Sequence, residues 1–598
     1  MQDLSSRKQV VILMFLAVCI VFLGRLFFIQ IVDDQYKLSA DNNVLRYVTQ
    51  YPSRGLVYDR NQEVLVYNEA AYDLMIIPKQ VGQIDTLDFC ALIDITKDQF
   101  IEKFKKAKRY SRYKPSVFQS QLSAITYAAL QEKLYKFSGF SVYNRSLRKY
   151  PNKTAANILG YISEVRESDI ANDSYYSSGD YIGSSGLEKS YETVLRGKKG
   201  VRVYLVDVFN RIKGSFEGGK YDSLPVPGAN LASTIDIDLQ ILGEKLMQNK
   251  KGSIVAIEPK SGELLAMVSS PTYDPNLLVG RVRSDNYTAL QNDTLFPLFN
   301  RALMAQYPPG SIFKLIQALI GLQEGIAGKS TFFPCNKLLV KCHDHVSPLN
   351  LNGSIQHSCN PYYYLLYKKI INKYSSKKGE VDTKRGFENW RGYVSSFGFG
   401  QILNIDVGSE KKGGVPISDY YDKIYGVNRW KFETIYSLGI GQGEILAVPL
   451  QMANLAVIIA NRGYYYPPHL VKRDGELSWV KRVPIDSVHF DLVIDAMSEV
   501  VQKGTGRRAK LDSVDVCGKT GTAQNPHGED HSVFIAFAPK ENPKIAISVI
   551  VENSGFGGTW AAPIASLMIE QFLNGNVSRE DKMQRILDAD FLHSKETN

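Results

Sequence analysis

Tyr307-Pro308-Pro309-Gly310-Ser311-Ile312-Phe313-Lys314 is a turn that delivers a serine, with a lysine three residues on, into the apolar run Leu315, Ile316, Ala318, Leu319 and Ile320. Pro308, Pro309 and Gly310 interrupt the preceding chain, and the apolar run predicts a helix that starts in a protein interior. Such a start exposes free N–H groups and the positive end of the helix dipole. A serine hydroxyl is a weak nucleophile until a base takes its proton, and a lysine desolvated among apolar side chains holds its own proton less tightly. Ser311 and Lys314 are therefore a candidate nucleophile and base. The alternative is structural, an N-capping serine with a lysine that reaches solvent. The same spacing at Ser146/Lys149 and Ser409/Lys412 lacks the apolar setting and reads as solvated surface.

Two further stretches weigh against the structural alternative. Ser358-Cys359-Asn360 heads a second apolar run from Pro361 to Leu366. Lys519-Thr520-Gly521-Thr522 follows the alternating Val514-Asp515-Val516-Cys517-Gly518, and 531–538 and 545–551 read as two more strands parted by Pro539 and Pro543. Lys519 is thus expected on a sheet strand that faces two helix starts. Each tripeptide is common, but the ordered trio in these contexts is specific.

The trio resembles the penicillin-binding protein and serine β-lactamase superfamily. The resemblance implies that Ser311 attacks the penultimate D-Ala carbonyl of a D-Ala-D-Ala stem peptide and that Lys314 accepts its proton. Ser358 and Lys519 would relay a proton to the leaving amine, and Asn360 would bind the peptide amide. Thr520, Gly521 and Thr522 would form the substrate wall, with the two threonines on the terminal carboxylate, and the N–H groups of Ser311 and Thr522 would form the oxyanion hole. Nothing supplies the deacylating glutamate pattern of a class A β-lactamase, so transfer to the amine of a neighbouring stem peptide is expected over hydrolysis.

With 598 residues and 44% hydrophobic content the chain can hold several domains. Residues 9–32 are apolar enough to span a bilayer, with Arg25 able to snorkel to the interface. Arg7 and Lys8 precede the span, so a short cytoplasmic tail, residues 1–8, and a periplasmic remainder are expected, anchored once in the bacterial inner membrane.

Tyr51-Pro52-Ser53-Arg54-Gly55, with Asp59-Arg60-Asn61, and Gly183 to Gly197 resemble the two signatures of the non-catalytic module of class B penicillin-binding proteins. Their arginines and glutamates read as buried ion pairs in a pedestal. The expected fold is α+β and multidomain. A transmembrane helix precedes a mixed, β-rich, dimerisation-like pedestal over 33–228, with anchor and head subdomains. A transpeptidase domain follows over 229–575, an antiparallel sheet flanked by helices, and 576–598 form a polar tail.

The net charge of +10 invites a nucleic-acid reading. Its densest stretch, Lys103 to Lys114, lies beyond the membrane anchor, so no nucleic acid is expected and a solvated face is. Attraction to anionic wall polymer or lipid headgroups is the functional alternative.

Cys335, Cys342 and Cys359 crowd with His343, His345 and His357, a set of soft ligands that suits a structural Zn²⁺. Cys335, Cys342, His345 and Cys359 are the expected ligands, with His343 or His357 as substitutes. A Cys335–Cys342 disulfide is the alternative. No cofactor is expected for catalysis.

Over nearly its whole length the chain resembles the elongation-type penicillin-binding protein 2, a β-lactam target that acts in side-wall growth and cell shape. This implies a SEDS-type (RodA-type) glycosyltransferase and elongation scaffold proteins as partners, since no glycosyltransferase domain precedes the pedestal. Val533 departs from the family, where aromatic residues are frequent, and this touches the acceptor side. A division-type enzyme, a D,D-carboxypeptidase, a β-lactam-hydrolysing relative and a non-catalytic penicillin-binding sensor or scaffold are the other readings.

Overall fold

A computed structural model describes residues 4–28, 44–207, 212–374, 381–427, 429–473 and 479–593. The N-terminal helix Leu4–Phe27 contains the segment Lys8–Phe27, 20 residues of mean hydropathy 2.8, long enough to cross a bilayer. The expected span from 29 to 32, the tail residues 1–3 and residues 594–598 lie outside the described residues.

The chain divides into two compact units. The first takes its described residues from the segments up to 55, 68–147 and 196–229, and the second from 56–67, 148–195 and 230–598. In the first, Leu45–Gln50, Gly200–Val206 and Ile212–Ser215 form an antiparallel sheet. A separate core gathers Leu74, Phe89, Phe118, Phe137 and Phe140 beneath helices Thr86–Ile93 and Lys97–Tyr110. The latter helix buries Phe100 and Ala107 and leaves Lys105, Lys106, Lys108 and Arg109 exposed, the solvated basic face expected of it.

Segments 56–67 and 148–195 pack with the second unit, where Arg60 N–H donates to Ile235 O at 2.9 Å. Asn276 bonds both backbone groups of Tyr150, Ala155 N–H donates to Glu244 at 2.8 Å, and Tyr191 Oη donates to Asp406 at 2.8 Å. Arg148 and Glu188, each 1% exposed, pair at 2.6 Å.

The second unit is built on one antiparallel sheet. Its strands are β1 (Gly252–Ile257), β2 (Leu264–Ser270), β3 (Cys517–Ala523), β4 (His531–Ala538) and β5 (Ile545–Val551), in the order β2-β1-β5-β4-β3. Both faces are covered, so β1, β2 and β5 are buried throughout and read as continuous apolar runs. Alternation sends Val255 and Ile535 to one core and Ile254 and Phe534 to the other. Helices α1 (Ile237–Leu246), α6 (Ala561–Asn574) and α7 (Glu580–Leu587) cover the second face. The first face carries α2 (Lys314–Gln323), α3 (Asn360–Ile371), α4 (Pro449–Ala460) and α5 (Ser487–Gln502), of which α4 is buried at all its positions. Strand β3, with Lys519, lies at the sheet edge.

Candidate active site

Ser311 sits in a 3₁₀ turn, Gly310–Phe313, that runs directly into α2. Its side chain caps neither element, and Lys314 is fully buried, so the N-cap reading and the solvent-seeking lysine are both corrected. The turn can approach β3 because Gly310 lacks a side chain. Its φ is +58°, and a Cβ there would lie 2.5 Å from the Thr522 carbonyl oxygen. Gly521 meets the same turn from the strand side, 3.1 Å from Pro309 O and from Ile312 Cγ2 in the same sense.

The two motif lysines converge on Ser358. Lys314 Nζ donates to Ser358 O at 2.7 Å, Ser358 Oγ at 3.2 Å and Asn360 Oδ1 at 2.6 Å. From the strand side, Lys519 Nζ donates to Ser358 Oγ at 2.9 Å and to Thr520 O at 2.9 Å. Ser358 holds a left-handed conformation, φ +53°, just before α3, a strain that places its hydroxyl between the two ammonium groups. Burial pushes Lys314 down to about 8, and burial together with the nearby Lys314 charge pushes Lys519 well below its ordinary value. Among the described residues their hydrogen-bond partners are all neutral oxygens.

Ser311, Ser358, Asn360, Thr520, Gly521 and Thr522 line one cleft of about 650 Å³. Thr520 Oγ1 lies 2.6 Å from Thr505 Oγ1, and Gln442 Nε2 donates to Thr522 O at 3.1 Å. Thr505 and Gln442 belong to no motif trio, and only the fold brings them here. Val533 is fully buried opposite Gly521 and is not among the residues that line the cleft.

Cys335, Cys342, His345 and Cys359 place their ligand atoms within 4.8 Å of one another. All six cysteines are free thiols, so the Cys335–Cys342 disulfide is not formed. His357 stacks on His345 with ring centroids 5.6 Å apart, and His343 and His357 both line the cleft. Hydrogen bonds from Cys359, His343, the Asn360 N–H and His345 push the Cys342 thiol far down, and Cys359 moves up in return. Three sulfurs and one imidazole at this spacing fit a tetrahedral Zn²⁺. The cluster reaches the site because Asn360 Nδ2 donates to Lys341 O at 2.7 Å, one residue before Cys342.

The profile of the penicillin binding protein transpeptidase domain matches residues 252–570, and that of the penicillin-binding protein dimerisation domain matches residues 49–233. Peptidoglycan D,D-transpeptidase MrdA of Acinetobacter baumannii is 30% identical over 582 residues, covering 90% of this chain and 83% of the relative. MrdA of Haemophilus influenzae is 30% identical over 97% of this chain and 93% of its own. Penicillin-binding protein 2 of Helicobacter pylori, solved in complex with MreC, superposes with a TM-score of 0.73 at 26% identity, covering 89% of this chain and 99% of that one. The chain belongs to the penicillin-binding proteins, and within them to the penicillin-binding protein 2 type of peptidoglycan D,D-transpeptidase.

Proposed function

We propose that this elongation-type D,D-transpeptidase works through Ser311. Ser311 Oγ attacks the penultimate D-Ala carbonyl as its proton passes to Lys314. The tetrahedral oxyanion rests on the N–H groups of Ser311 and Thr522. As the C–N bond breaks, Ser358 and Lys519 pass a proton to the departing D-alanine amine, and the acyl-enzyme waits for an acceptor amine. Asn360 binds the donor amide, and the Thr520 and Thr522 hydroxyls hold the terminal carboxylate. β-Lactams acylate the same serine.

The observation that carries this reading is the convergence of two buried lysines, at 3.2 and 2.9 Å, on one serine hydroxyl beside the Ser311 turn. A lysine held near 8 is unprotonated in roughly a tenth of molecules at pH 7, enough to serve as base. Ser311→Ala should abolish labelling by a fluorescent penicillin while the thermal melt is kept. Retained labelling overturns the assignment.

Zn²⁺ on Cys335, Cys342, His345 and Cys359 would be structural, bracing the loop that holds Asn360. Chelation should then lower both stability and labelling, and a purified protein without zinc on metal analysis sinks the idea. We place residues 1–8 in the cytoplasm, the single span over 9–32 and the rest in the periplasm, with a functional boundary near 229 and a peripheral tail from 576. The Helicobacter pylori complex with MreC supports an elongation scaffold as partner here, and a SEDS-type glycosyltransferase would supply the glycan strands.

A further inference from the structure

The residues after α6, expected as a polar tail, pack on the second face of the sheet. Ile586 of α7 is fully buried in that core, with Val577, Met583 and Phe591 packed against it. Both ends of the segment are anchored. At its start, Ser578 N–H donates to Glu570 Oε1 of α6 at 3.1 Å, and Arg579 donates to Glu570 Oε2 at 2.7 Å and to Ser566 O at 3.0 Å. At its end, Phe591 N–H donates to Asn249 O at 3.0 Å, Lys250 Nζ donates to Ala589 O at 2.9 Å, and the Phe591 ring meets Trp560 edge-on.

Between these anchors the segment grips the turn that follows α5. Lys582 Nζ donates to Arg508 O at 2.9 Å, and Arg579 donates to Lys510 O at 3.2 Å. Burial and the neighbouring Arg579 push Lys582 down to about 8, because its ammonium is drawn out of water to reach a backbone carbonyl. The turn itself is compact, with Gly506 N–H donating to Val500 O at 3.0 Å and Ala509 N–H to Gly506 O at 2.8 Å. It carries Thr505, whose Oγ1 lies 2.6 Å from Thr520 Oγ1. Gly558 closes the other side, since a Cβ there would lie 2.5 Å from Thr505 O and 3.8 Å from Thr520 Cγ2. A shift of the turn is therefore passed to Thr520, which lines the cleft on the edge strand β3.

We propose that residues 577–591 are a strut for the cleft wall and that Lys582 is a positioning residue, which holds the Arg508 carbonyl and so fixes Thr505 and, through it, the Thr520 hydroxyl. The proposal rests on the reading above that gives Thr520 to the terminal carboxylate. A binding group has to be held within about 0.5 Å of its productive place, and an edge strand takes that precision from what packs against it. A tail that only stabilised the domain would weaken every acylation alike, whereas a strut acting through Thr520 weakens those that use the carboxylate.

The test uses the full chain in detergent, with Lys582→Met to remove the donor and Lys582→Arg to keep one. Hydrogen exchange read by mass spectrometry should quicken roughly tenfold across residues 504–510 in Lys582→Met and stay near the unaltered rate in Lys582→Arg. Half-saturation of Ser311 acylation should need roughly tenfold more penicillin in Lys582→Met, the scale of one charge-assisted hydrogen bond. Acylation by a thioester whose leaving thiol has no carboxylate should keep its rate. On a Thr505→Val background, Lys582→Met should add little to the penicillin effect, since the link it acts through is already cut. Unchanged exchange in the turn, an equal loss with penicillin and thioester, or additive losses on Thr505→Val overturns the strut. Penicillin half-saturation unchanged in Thr520→Val, or a thioester that does not acylate Ser311, overturns the proposed catalytic reading instead.

Discussion

Arg148 and Lys314 are both buried cations of the same unit, yet one faces a carboxylate and the other faces amide and hydroxyl oxygens. Arg148 meets Glu188 at 2.6 Å, and the pair joins distant parts of the 148–195 segment. Lys314 and Lys519 meet around Ser358, and burial drives both down. A buried guanidinium with an acid partner has its charge compensated and serves structure, whereas a buried lysine whose partners are neutral is poised to give its proton up. Lys250 refines the contrast. Burial takes it to about 8 as well, but its Nζ bonds the carbonyls of Gln248 and Ala589 and anchors the chain after α7. Desolvation makes a lysine hold its proton less tightly, and only one within reach of a nucleophile can then serve as its base.

The contrast breaks most sharply at Lys314. Lys314→Met should slow acylation by a fluorescent penicillin at least ~10³-fold, while the melting temperature holds or rises because a buried charge is gone. Lost stability with intact acylation would reverse the two roles. Glu188→Ala should do the opposite, costing roughly 3–5 kcal/mol in denaturant unfolding with acylation per folded molecule unchanged.

The acylation rate should climb about tenfold per pH unit below about 8 and then level, since only unprotonated Lys314 accepts the proton. The sign for stability follows from the same value. Between about 8 and 10.5 the unfolded chain binds more protons than the folded one at Lys314, so stability should rise with pH across that window. A flat rate profile from pH 6 to 8 would remove Lys314 as base, and Lys250→Met should leave the profile where it is. Smallest of all, Lys105→Ala/Lys106→Ala on the exposed helix face should stay within about ±0.5 kcal/mol, and a larger loss would show that this face is not merely solvated.

The sheet was legible in the chain because β4 and β5 are apolar runs bounded by Pro539 and Pro543, and their ends fall where those turn residues put them. The Ser311 turn was legible because Pro-Pro-Gly interrupts the chain just before an apolar run, and the order of Ser311/Lys314, Ser358/Asn360 and Lys519 weighed against a plain N-cap. Helix α4 escaped notice although all its residues are buried, since a short apolar run without a polar face carries no period to distinguish it from a strand. The assignment of 56–67 and 148–195 was also hidden, because hydrogen bonds such as Tyr191 to Asp406 join residues far apart in the chain. Local pattern has no access to such partners.

Residue order alone determined the ordered motifs, the apolar N-terminal span and the crowding of thiols and imidazoles around Ser358-Cys359-Asn360, all of which depend on neighbours within a few positions. Only the tertiary structure decided which lysines hold their protons less tightly and which threonine joins Thr520. The reason is physical. Proton affinity and charge pairing depend on the dielectric and the partners within a few ångströms, and for a buried side chain most of those come from distant parts of the chain.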